Sequence, residues 1–528
     1  PKIDAARQAI YDLPRVKKFV KKFNQQKVEK YIESIEAELE ELDYNDPKDK
    51  RKIDSREQKI SNIRAGVFTT KKEQDLIRPI NLGSPVDLPA LMYSDSGFKF
   101  PVIKNNESGK PSTDEDTLVE LRLTVKDPES PKAIFLDKLL ELRGLQKMYT
   151  TYIEGWHEKV QDDSRLHGRY NIHGTDSNRF SSADPNMQQI PKTSVDPNIK
   201  KQLVAPPGYL YMAFDYSQAE LRMMAHLSGD ETYLEAFAKG VDPHLGIAAA
   251  KYGVSIEEAS KAYEDETHPD YKLWKVRRKQ AKQIAFGLIY GIGNKLLAVK
   301  LSDPKAGIIV TPEEAAKEME VFFGQHPKIR KFKEKQEKFL RKHGYYTQLF
   351  GTKRRLPQIY SNDKQEVAYA IRLGLNFPCQ GAAANMTNFG AILVYWLMRQ
   401  GKLPMMKEAC TVHDAVYMYS KPQDINTWTV YTIWNILRNP STKRYFGFQV
   451  DDVDMDMDFT IGRTMAEELP FIPGYDYNKM LQPDFSVEEY MAEHKKYKHI
   501  HIKQFKERFN KQMKAYEKDF ERTHDLPS

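Results

Sequence analysis

The stretch ACTVHDAVYMYS, residues 409–420, constrains the fold more than any other part of the sequence. Apolar, β-branched and aromatic residues surround one polar pair, His413 and Asp414, which is the pattern of two short strands joined by a tight bend. A carboxylate at a strand end costs free energy unless a cation or a hydrogen-bond donor meets it. Asp414 therefore either has a structural partner or holds a metal ion.

A second carboxylate ends another predicted strand. The run GYLYMAFDYS, residues 208–217, is β-rich up to Asp215, and mainly helical segments separate it from the stretch above. Helices inserted between strands of one antiparallel sheet predict an α+β fold. If the strands pair, the carboxylates face each other at about 5 Å. Two divalent ions could then bridge them for phosphoryl transfer, although a nuclease would fit equally well.

The segment RRKQAKQIAFGLIYGIG, residues 277–293, favours a nucleoside triphosphate as substrate. Arg278, Lys282, Phe286 and Tyr290 recur every four positions, so they share one face of a helix. Cations suit phosphates, and flat rings suit the sugar and base. The two acids and this helix together therefore favour nucleotide transfer over hydrolysis.

The amino-acid composition predicts a cellular location and a class of binding partner. The chain has 528 residues, enough for about three or four domains or subdomains, and no apolar stretch long enough to span a membrane. The start lacks the apolar core of a signal peptide, and Cys379 and Cys410 are the only cysteines, which predicts a reducing cytoplasmic location. The net charge of +7 and three basic runs with interleaved aromatics favour nucleic acid, although each run alone is more simply a solvated helix face.

Three segments in order resemble the polymerase motifs of family A, the DNA polymerase I type: residues 215–222, residues 278–291, and the pair His413–Asp414. The segment GTDSNRFSSADPNMQQIP, residues 174–191, resembles the signature that precedes the first motif. Further similar segments are INLGSP, GKPSTDEDTL, YYTQLFGTKRRLP and IRLGLNFPCQGAAAN, so the resemblance covers about residues 75–465.

The resemblance implies a right-hand polymerase fold, with an antiparallel palm sheet and helical fingers and thumb. The expected domains are a thumb with an N-terminal helical region (1–167), a first part of the palm (168–225), fingers (226–362), a second part of the palm (363–470) and a C-terminal helical extension (471–528). Within the first of these, apolar positions from Val28 to Leu42 predict one arm of a helical hairpin.

The implied reaction is template-directed addition of deoxynucleotides to a DNA primer through two Mg²⁺ ions, for which Mn²⁺ can substitute. Asp215, Asp414 and the backbone carbonyl of Tyr216 would face the ions. Lys282 would be the general acid and, with Arg278 and His244, would neutralise the triphosphate. The implied nucleotide-binding residues are Arg278, Phe286, Tyr290, His244, Gln218 and Glu220.

Specificity is implied at the same positions. Glu220 and Tyr290 would close the space near the sugar 2′ position and exclude ribonucleotides. Phe286 lacks a hydroxyl that could replace a missing 3′-hydroxyl, so discrimination against dideoxynucleotides is expected. The DNA-binding residues would be Arg179, Arg372, Gln380 and His413, the first three reading pair shape through the minor groove or the template.

Ala415 departs from the family, which usually has Glu after His-Asp, and this leaves the metal affinity open. A substitute could come from DDVDMDMDF, where Asp452, Asp454, Asp456 and Asp458 would share one strand face. A solvated acidic face is the simpler interpretation.

About 170 residues precede the signature segment, and no spaced set of acids lies among them, so no proofreading exonuclease is expected in this chain. A separate exonuclease or a processivity protein is a possible partner, and phage replication is the expected setting. The tail from Ile502 to Phe520 predicts an amphipathic helix, which either packs on the chain or docks a partner.

Two other functions are compatible with parts of the sequence. A single-subunit RNA polymerase is disfavoured by Glu220 and by the segment around Arg179. A non-catalytic DNA-binding subunit is disfavoured by the retained Asp215, Lys282 and Asp414.

Overall fold

The structure is a computed structural model, and it describes residues 1–106, 108–125, 127–193, 195–302, 310–440 and 442–497. The chain forms two compact units, one of Pro1–Thr151 with Val299–Val310 and the other of Tyr152–Ala298 with Thr311–Ser528. None of the helices described is both long and apolar enough to cross a membrane. The amphipathic helix expected between Ile502 and Phe520 lies outside the described residues.

The first unit is helical where its structure is described. Its helices are α1 (Lys2–Tyr11), α2 (Pro14–Glu40), α3 (Pro47–Arg64), α4 (Lys71–Gln74), α5 (Asp87–Tyr93), α6 (Glu115–Thr124) and α7 (Pro131–Met148). The predicted helical hairpin is confirmed, because Ile32 and Ile35 of α2 pack with Ile53 and Ile60 of α3. Helix α2 begins well before Val28, since its N-terminal part packs into the main core of this unit.

The second unit combines helices with strands, which confirms the α+β prediction. Its helices are α8 (Gly155–His157), α9 (Pro197–Lys201), α10 (Ala219–Ser228), α11 (Glu231–Ala238), α12 (Pro243–Tyr252), α13 (Ile256–Glu264), α14 (Tyr271–Ile289), α15 (Asn294–Leu301), α16 (Pro312–Gln325), α17 (Pro327–His343), α18 (Lys364–Arg399), α19 (Thr427–Arg438), α20 (Thr442–Phe446) and α21 (Val487–Tyr497). Its strands are β1 (Arg169–Asn171), β2 (Ser181–Ala183), β3 (Leu210–Tyr216), β4 (Tyr345–Thr347), β5 (Lys353–Arg355), β6 (Lys407–Val412), β7 (Ala415–Ser420), β8 (Met457–Gly462) and β9 (Leu469–Pro470).

Strand β3 is the centre of a five-stranded antiparallel sheet with the order β6-β7-β3-β8-β9. Residues Leu210 to Phe214 are buried, as a central strand covered on both faces requires. Strands β6 and β7 form the predicted hairpin, with His413 and Asp414 at its bend. The hairpin pairs directly beside β3, so the two strand ends that carry acids meet at one edge of the sheet.

The acidic run that leads into β8, residues 451–459, differs in part from what the sequence predicted. Asp452, Asp454, Asp456 and Asp458 are exposed while Val453 and Met455 are buried, which confirms a solvated acidic face. The prediction that all four share a strand face is wrong, because β8 begins only at Met457. Asp458 alone lies in the strand, and the others precede it and contact basic side chains, namely His226, Arg438 and Arg222.

Candidate active site

Asp215 is in the central strand β3 and has a neutral residue opposite it on one side and an acidic residue on the other. It is directly opposite Ala415 in β7 and directly opposite Asp458 in β8. Residues paired in this way place their side chains on one face of the sheet. Burial, and then the negative charges of Asp414 and Asp458, raise the pKa of Asp215 to about 6. This edge of the sheet therefore brings several negatively charged side chains close together.

The signature segment fixes the hairpin that carries Asp414. The backbone N–H of His413 donates to Gln188 Oε1 at 2.8 Å, and Gln188 Nε2 donates to the Thr411 carbonyl at 3.0 Å. The Tyr170 hydroxyl donates to the same carbonyl at 2.7 Å. His413 adopts a left-handed backbone conformation with φ of 54°, which a two-residue hairpin bend favours. The bend thus aims Asp414 toward the end of β3.

Arg179 joins two acids for which the sequence implied separate roles. Its Nη2 lies 2.6 Å from Glu220 Oε1 and 2.9 and 3.1 Å from the two oxygens of Asp414. Burial opposes the charge of Arg179, but the two acids outweigh it and raise the pKa of the guanidinium. The structure therefore brings the predicted DNA-binding, metal-binding and sugar-contacting residues into one cluster.

Helix α14 carries the predicted nucleotide face. Lys282 Nζ lies 5.4 Å from the ring centre of Phe286, which is 5.8 Å from the ring of Tyr290. Tyr290 is the residue directly after the helix. Burial, together with Lys192 and Arg278, lowers the pKa of Lys282, as a proton donor requires. The predicted helical face is confirmed.

Arg278 has a partner that the sequence did not reveal. Its Nη2 and Nε lie 2.5 and 3.1 Å from Asp242 Oδ2, and the other oxygen of Asp242 accepts from the Leu245 N–H at the start of α12. The ion pair holds the guanidinium of Arg278 against α12. A local sign was present, because Asp242 precedes Pro243 in the pattern of a helix N-cap.

His244 is buried, and its burial opposes the positive charge that the sequence implied. Its side chain is 0 % exposed, and its ring lies 5.6 Å from that of Phe286. Burial lowers its pKa to about 4 despite the nearby Asp242, so the ring is neutral near pH 7. Neither ring nitrogen has a hydrogen-bond partner among the residues described. A neutral ring can still donate a hydrogen bond, and the role of His244 toward the triphosphate stays a prediction.

The remaining predicted residues lie on α10, on α18 and at the end of β3. Gln218 begins α10 in a left-handed conformation with φ of 59°, and its Oε1 is buried without a hydrogen-bond partner in the described part of the chain. Tyr216 ends β3, and its hydroxyl donates to the Leu437 carbonyl. Arg372 is exposed on α18, and Gln380, two turns further on, contributes a hydrogen bond to Glu220.

The acids suit divalent metal ions that arrive with a phosphate ligand. The described residues contain no group of three or more His, Cys, Asp or Glu side chains arranged to hold a metal. Proteins commonly hold Mg²⁺ through one or two carboxylates, with substrate phosphates and water completing the shell. Asp215 and Asp414 supply two carboxylates, and burial and then the neighbouring acids raise the pKa of Asp215, effects that a bound cation would oppose. The residues present therefore fit such ions.

Known proteins resemble this chain in sequence and in fold. The family model described as DNA polymerase family A matches residues 50–467. DNA polymerase I of Pseudomonas aeruginosa is 34% identical over 324 residues, 61% of this chain and 32% of that protein. The thermostable DNA polymerase I of Thermus aquaticus is 31% identical over 364 residues, 68% of this chain and 39% of that protein. The chain thus spans well under half the length of these relatives.

A solved structure extends the likeness to the fold. It is the POL domain of Pol1 from M. smegmatis, in complex with DNA primer-template and dNTP. The TM-score is 0.60 at 26% identity, over 87% of this chain and 67% of that one. The likeness confirms the right-hand polymerase fold that the sequence motifs implied.

Proposed function

Because the chain belongs to DNA polymerase family A, we propose that it is a DNA-directed DNA polymerase that extends a primer by two-metal phosphoryl transfer. The observation that carries the proposal is the meeting of Asp215 and Asp414 at one edge of the sheet. Lys192 acts electrostatically on both Asp215 and Lys282, which supports a general acid close to the carboxylates. Primer–template DNA and deoxynucleoside triphosphates are the proposed substrates.

Each residue then has a chemical task. Asp215 and Asp414, with the backbone carbonyl of Tyr216, would hold the two Mg²⁺ ions. When bound, the ions lower the pKa of the primer hydroxyl and stabilise the charge of the leaving pyrophosphate. Lys282 donates the proton that the pyrophosphate requires, and Arg278 binds the triphosphate.

The neighbouring side chains select the nucleotide. Phe286 and Tyr290 lie against the base and sugar, and the neutral His244 donates a hydrogen bond to phosphate. Glu220 is half-buried beside Arg179, so a ribonucleotide 2′-hydroxyl would meet an occupied space. Arg179, Arg372, Gln380 and His413 contact the DNA near the primer terminus. We propose the domain bounds given above for thumb, palm and fingers.

Primer extension tests the proposal. Wild type is expected to extend a primed template with deoxynucleotides and Mg²⁺, to stop when EDTA removes the metal, and to resume with Mg²⁺ or Mn²⁺. Asp215→Asn and Asp414→Asn each remove a metal carboxylate and should lower the rate by about 1000-fold. Asp451→Asn, an exposed acid outside the sheet, is the matched control and should extend normally.

Ala415→Glu decides what the missing glutamate means. If wild type extends and Ala415→Glu changes the rate little, two carboxylates suffice. If wild type is inert and Ala415→Glu extends, the proposal of an active polymerase is wrong and the fold serves DNA binding. Replication in a phage, a separate exonuclease or processivity partner, and a cytoplasmic location stay predictions from the sequence.

A further inference from the structure

Lys333 of α17 contacts the end of the helix that carries the proposed nucleotide-binding residues. Its Nζ donates a hydrogen bond to the backbone carbonyl of Leu288, in the last turn of α14. The two residues are 45 positions apart in the chain, so the contact depends on how α17 packs against α14. None of the roles proposed above uses Lys333.

Tyr290 lies within a tight helix end. The Ile292 N–H donates to the Gly287 carbonyl at 2.8 Å, and the Gly291 N–H donates to the Leu288 carbonyl at 3.1 Å. Gly291 adopts the left-handed conformation, with φ of 74°, that this type of helix end favours. The Leu288 carbonyl therefore accepts two hydrogen bonds, one from the residue after Tyr290 and one from α17.

A positive charge at this position stabilises the helix end. The last carbonyls of a helix carry a partial negative charge, and hydrogen bonds from a charged donor are about twice as strong as neutral ones. Helix α18 packs against the same end, because a Cβ on Gly291 would lie 3.4 Å from Arg372 Cγ and 3.6 Å from Leu375 Cδ1. Tyr290 is therefore flanked by Leu288, which α17 contacts, and by Gly291, which α18 contacts.

The surroundings of Lys333 leave its charge without a carboxylate partner. It makes no ion pair within the described part of the chain, and the acid one turn further along α17, Glu337, is paired with Arg341 at 2.7 Å. On α16, the ring centre of Phe323 lies 5.7 Å from Nζ. On α18, the nearby thiol of Cys379 is neutral, because burial raises its pKa. The backbone carbonyl at the end of α14 is thus the hydrogen-bond acceptor that the ammonium group contacts.

Lys333 titrates just above neutral pH. Burial lowers its pKa to about 8, an effect that Cys379 and Glu337 oppose. Arg330, one turn before it, lies 5.1 Å from the same ring of α16 and is paired with Glu320 at 2.9 Å. Lys333 is therefore mostly charged at neutral pH and mostly uncharged about one pH unit above its pKa.

We infer that Lys333 is a positioning residue for sugar selection: its ammonium group holds the end of α14 so that Tyr290 closes the space beside the sugar 2′ position. The inference rests on the proposed function, in which Tyr290 lies against the sugar and Glu220 occupies the space near its 2′ position. A ribonucleotide requires the tyrosine ring to move aside, whereas a deoxynucleotide does not. Weakening the contact at Leu288 should therefore favour ribonucleotides more than deoxynucleotides.

The pH dependence of sugar selection tests the inference. Single-nucleotide incorporation opposite a template thymine gives kcat/KM for dATP and for ATP between about pH 7 and pH 9. The ratio of the two values cancels the titration of the metal site and of the primer hydroxyl, and adenine does not titrate in this range. We expect the ratio of wild type to fall about fivefold as the pH rises, because an uncharged amine holds the carbonyl less strongly.

Four variants assign the change to Lys333. Lys333→Arg keeps its charge over the whole range and should hold the ratio constant. Lys333→Met has no donor and should show a low ratio at every pH. Tyr290→Phe keeps the ring without its hydroxyl and should still show the fall with pH. Lys335→Met, at an exposed lysine of α17, is the matched control and should follow wild type.

The outcomes separate this inference from the proposed function. A wild-type ratio that is constant with pH, or the same fall in Lys333→Met or Lys333→Arg, would overturn the inference. A constant ratio in Tyr290→Phe would assign the titration to the tyrosine hydroxyl and overturn it as well. Thermal unfolding verifies each fold, and if a Lys333 variant does not fold, the profiles of wild type and Tyr290→Phe decide.

Normal incorporation of dATP with a constant ratio means that only the role of Lys333 fails. If wild type incorporates dATP at no pH, the proposed function itself fails, and the role of Lys333 fails with it.

Discussion

The guanidinium of Arg179 contacts Glu220 and Asp414 and, in the proposed function, also the DNA minor groove. Removing it leaves two half-buried acids without their cation, which costs about 3 kcal/mol of unfolding free energy. We expect Arg179→Ala to show this loss in urea unfolding. The double variant with Glu220→Gln should recover about 1 kcal/mol of it, because one unpaired charge is gone. Additive losses in this cycle would contradict the coupling.

His244 gives a second prediction, in the pH dependence of stability. Its pKa is about 4 in the folded chain, below the ordinary value of 6.5. Between these two values the unfolded chain binds a proton that the folded chain does not, so stability is full above pH 6.5 and falls as the pH drops toward 4. Over that pH range, the free energy of unfolding of His244→Gln, measured with urea, should fall by about 1 to 3 kcal/mol less than that of wild type. The exposed His173→Gln should behave as wild type, and an equal loss in His244→Gln would contradict the burial argument.

Sequence patterns predicted the secondary structure around the candidate residues but not the contacts of those residues. Asp215 and Asp414 stood at predicted strand ends, and the four-residue spacing placed Lys282 and Phe286 on one helix face. The pairs Arg179–Asp414 and Arg278–Asp242 join residues 235 and 36 positions apart. Such contacts depend on how helices and strands pack, which no local pattern encodes. The burial of His244 was missed for the same reason.

Helices α17 and α18 cross at a glycine, and this gives a prediction at the scale of elements. A Cβ on Gly374 would lie 2.5 Å from Leu340 Cδ2 and 3.3 Å from Leu356 Cδ1, both buried. We expect Gly374→Ala to cost about 1 to 3 kcal/mol, since this core cannot accept the methyl group. Gly246→Ala, at a helical glycine with open space around it, should gain up to about 1 kcal/mol. Thermal unfolding compares them, and similar gains in both would contradict the tight crossing.

Element types were easier to predict than element bounds. The alternation of apolar and acidic residues in the run that leads into β8 predicted a strand. Only the C-terminal end of that run pairs in the sheet. Alternating burial arises in an irregular segment as well, when it lies along a core surface, so the pattern alone could not locate the start of β8. The hairpin β6–β7 was predictable because its bend carries the two polar residues of an otherwise apolar run.

At the scale of the whole molecule, the net charge of +7 and the proposed DNA substrate predict strong salt dependence. Raising KCl from about 50 to 200 mM should weaken primer–template binding by at least about 40-fold, the loss for three phosphate contacts. Fluorescence anisotropy measures this directly. Asp414→Asn, which alters no phosphate contact, should keep the same slope. Binding that does not change with salt would contradict a polyanionic substrate.

The division into two units was only partly visible in the sequence. The change from helical segments to strand and turn near Gly168 lies close to the boundary at Thr151. The grouping of Val299–Val310 with the N-terminal unit could not be foreseen, because those residues are some 150 positions beyond that boundary. The motifs were sufficient for the family, while the assignment of distant segments to units depends on tertiary packing.

The pairing of Asp215 with Asp458 across two strands limits how the stability of this protein can be raised. Like charges directly across a pair of strands weaken the sheet, so the molecule gives up stability at the place where its chemistry is proposed to occur. Selection in the laboratory for heat resistance alone is expected to replace one of these two aspartates. A more stable protein that has lost Asp215 would lack one of its two proposed metal carboxylates, whereas gains made at remote sites would leave both in place.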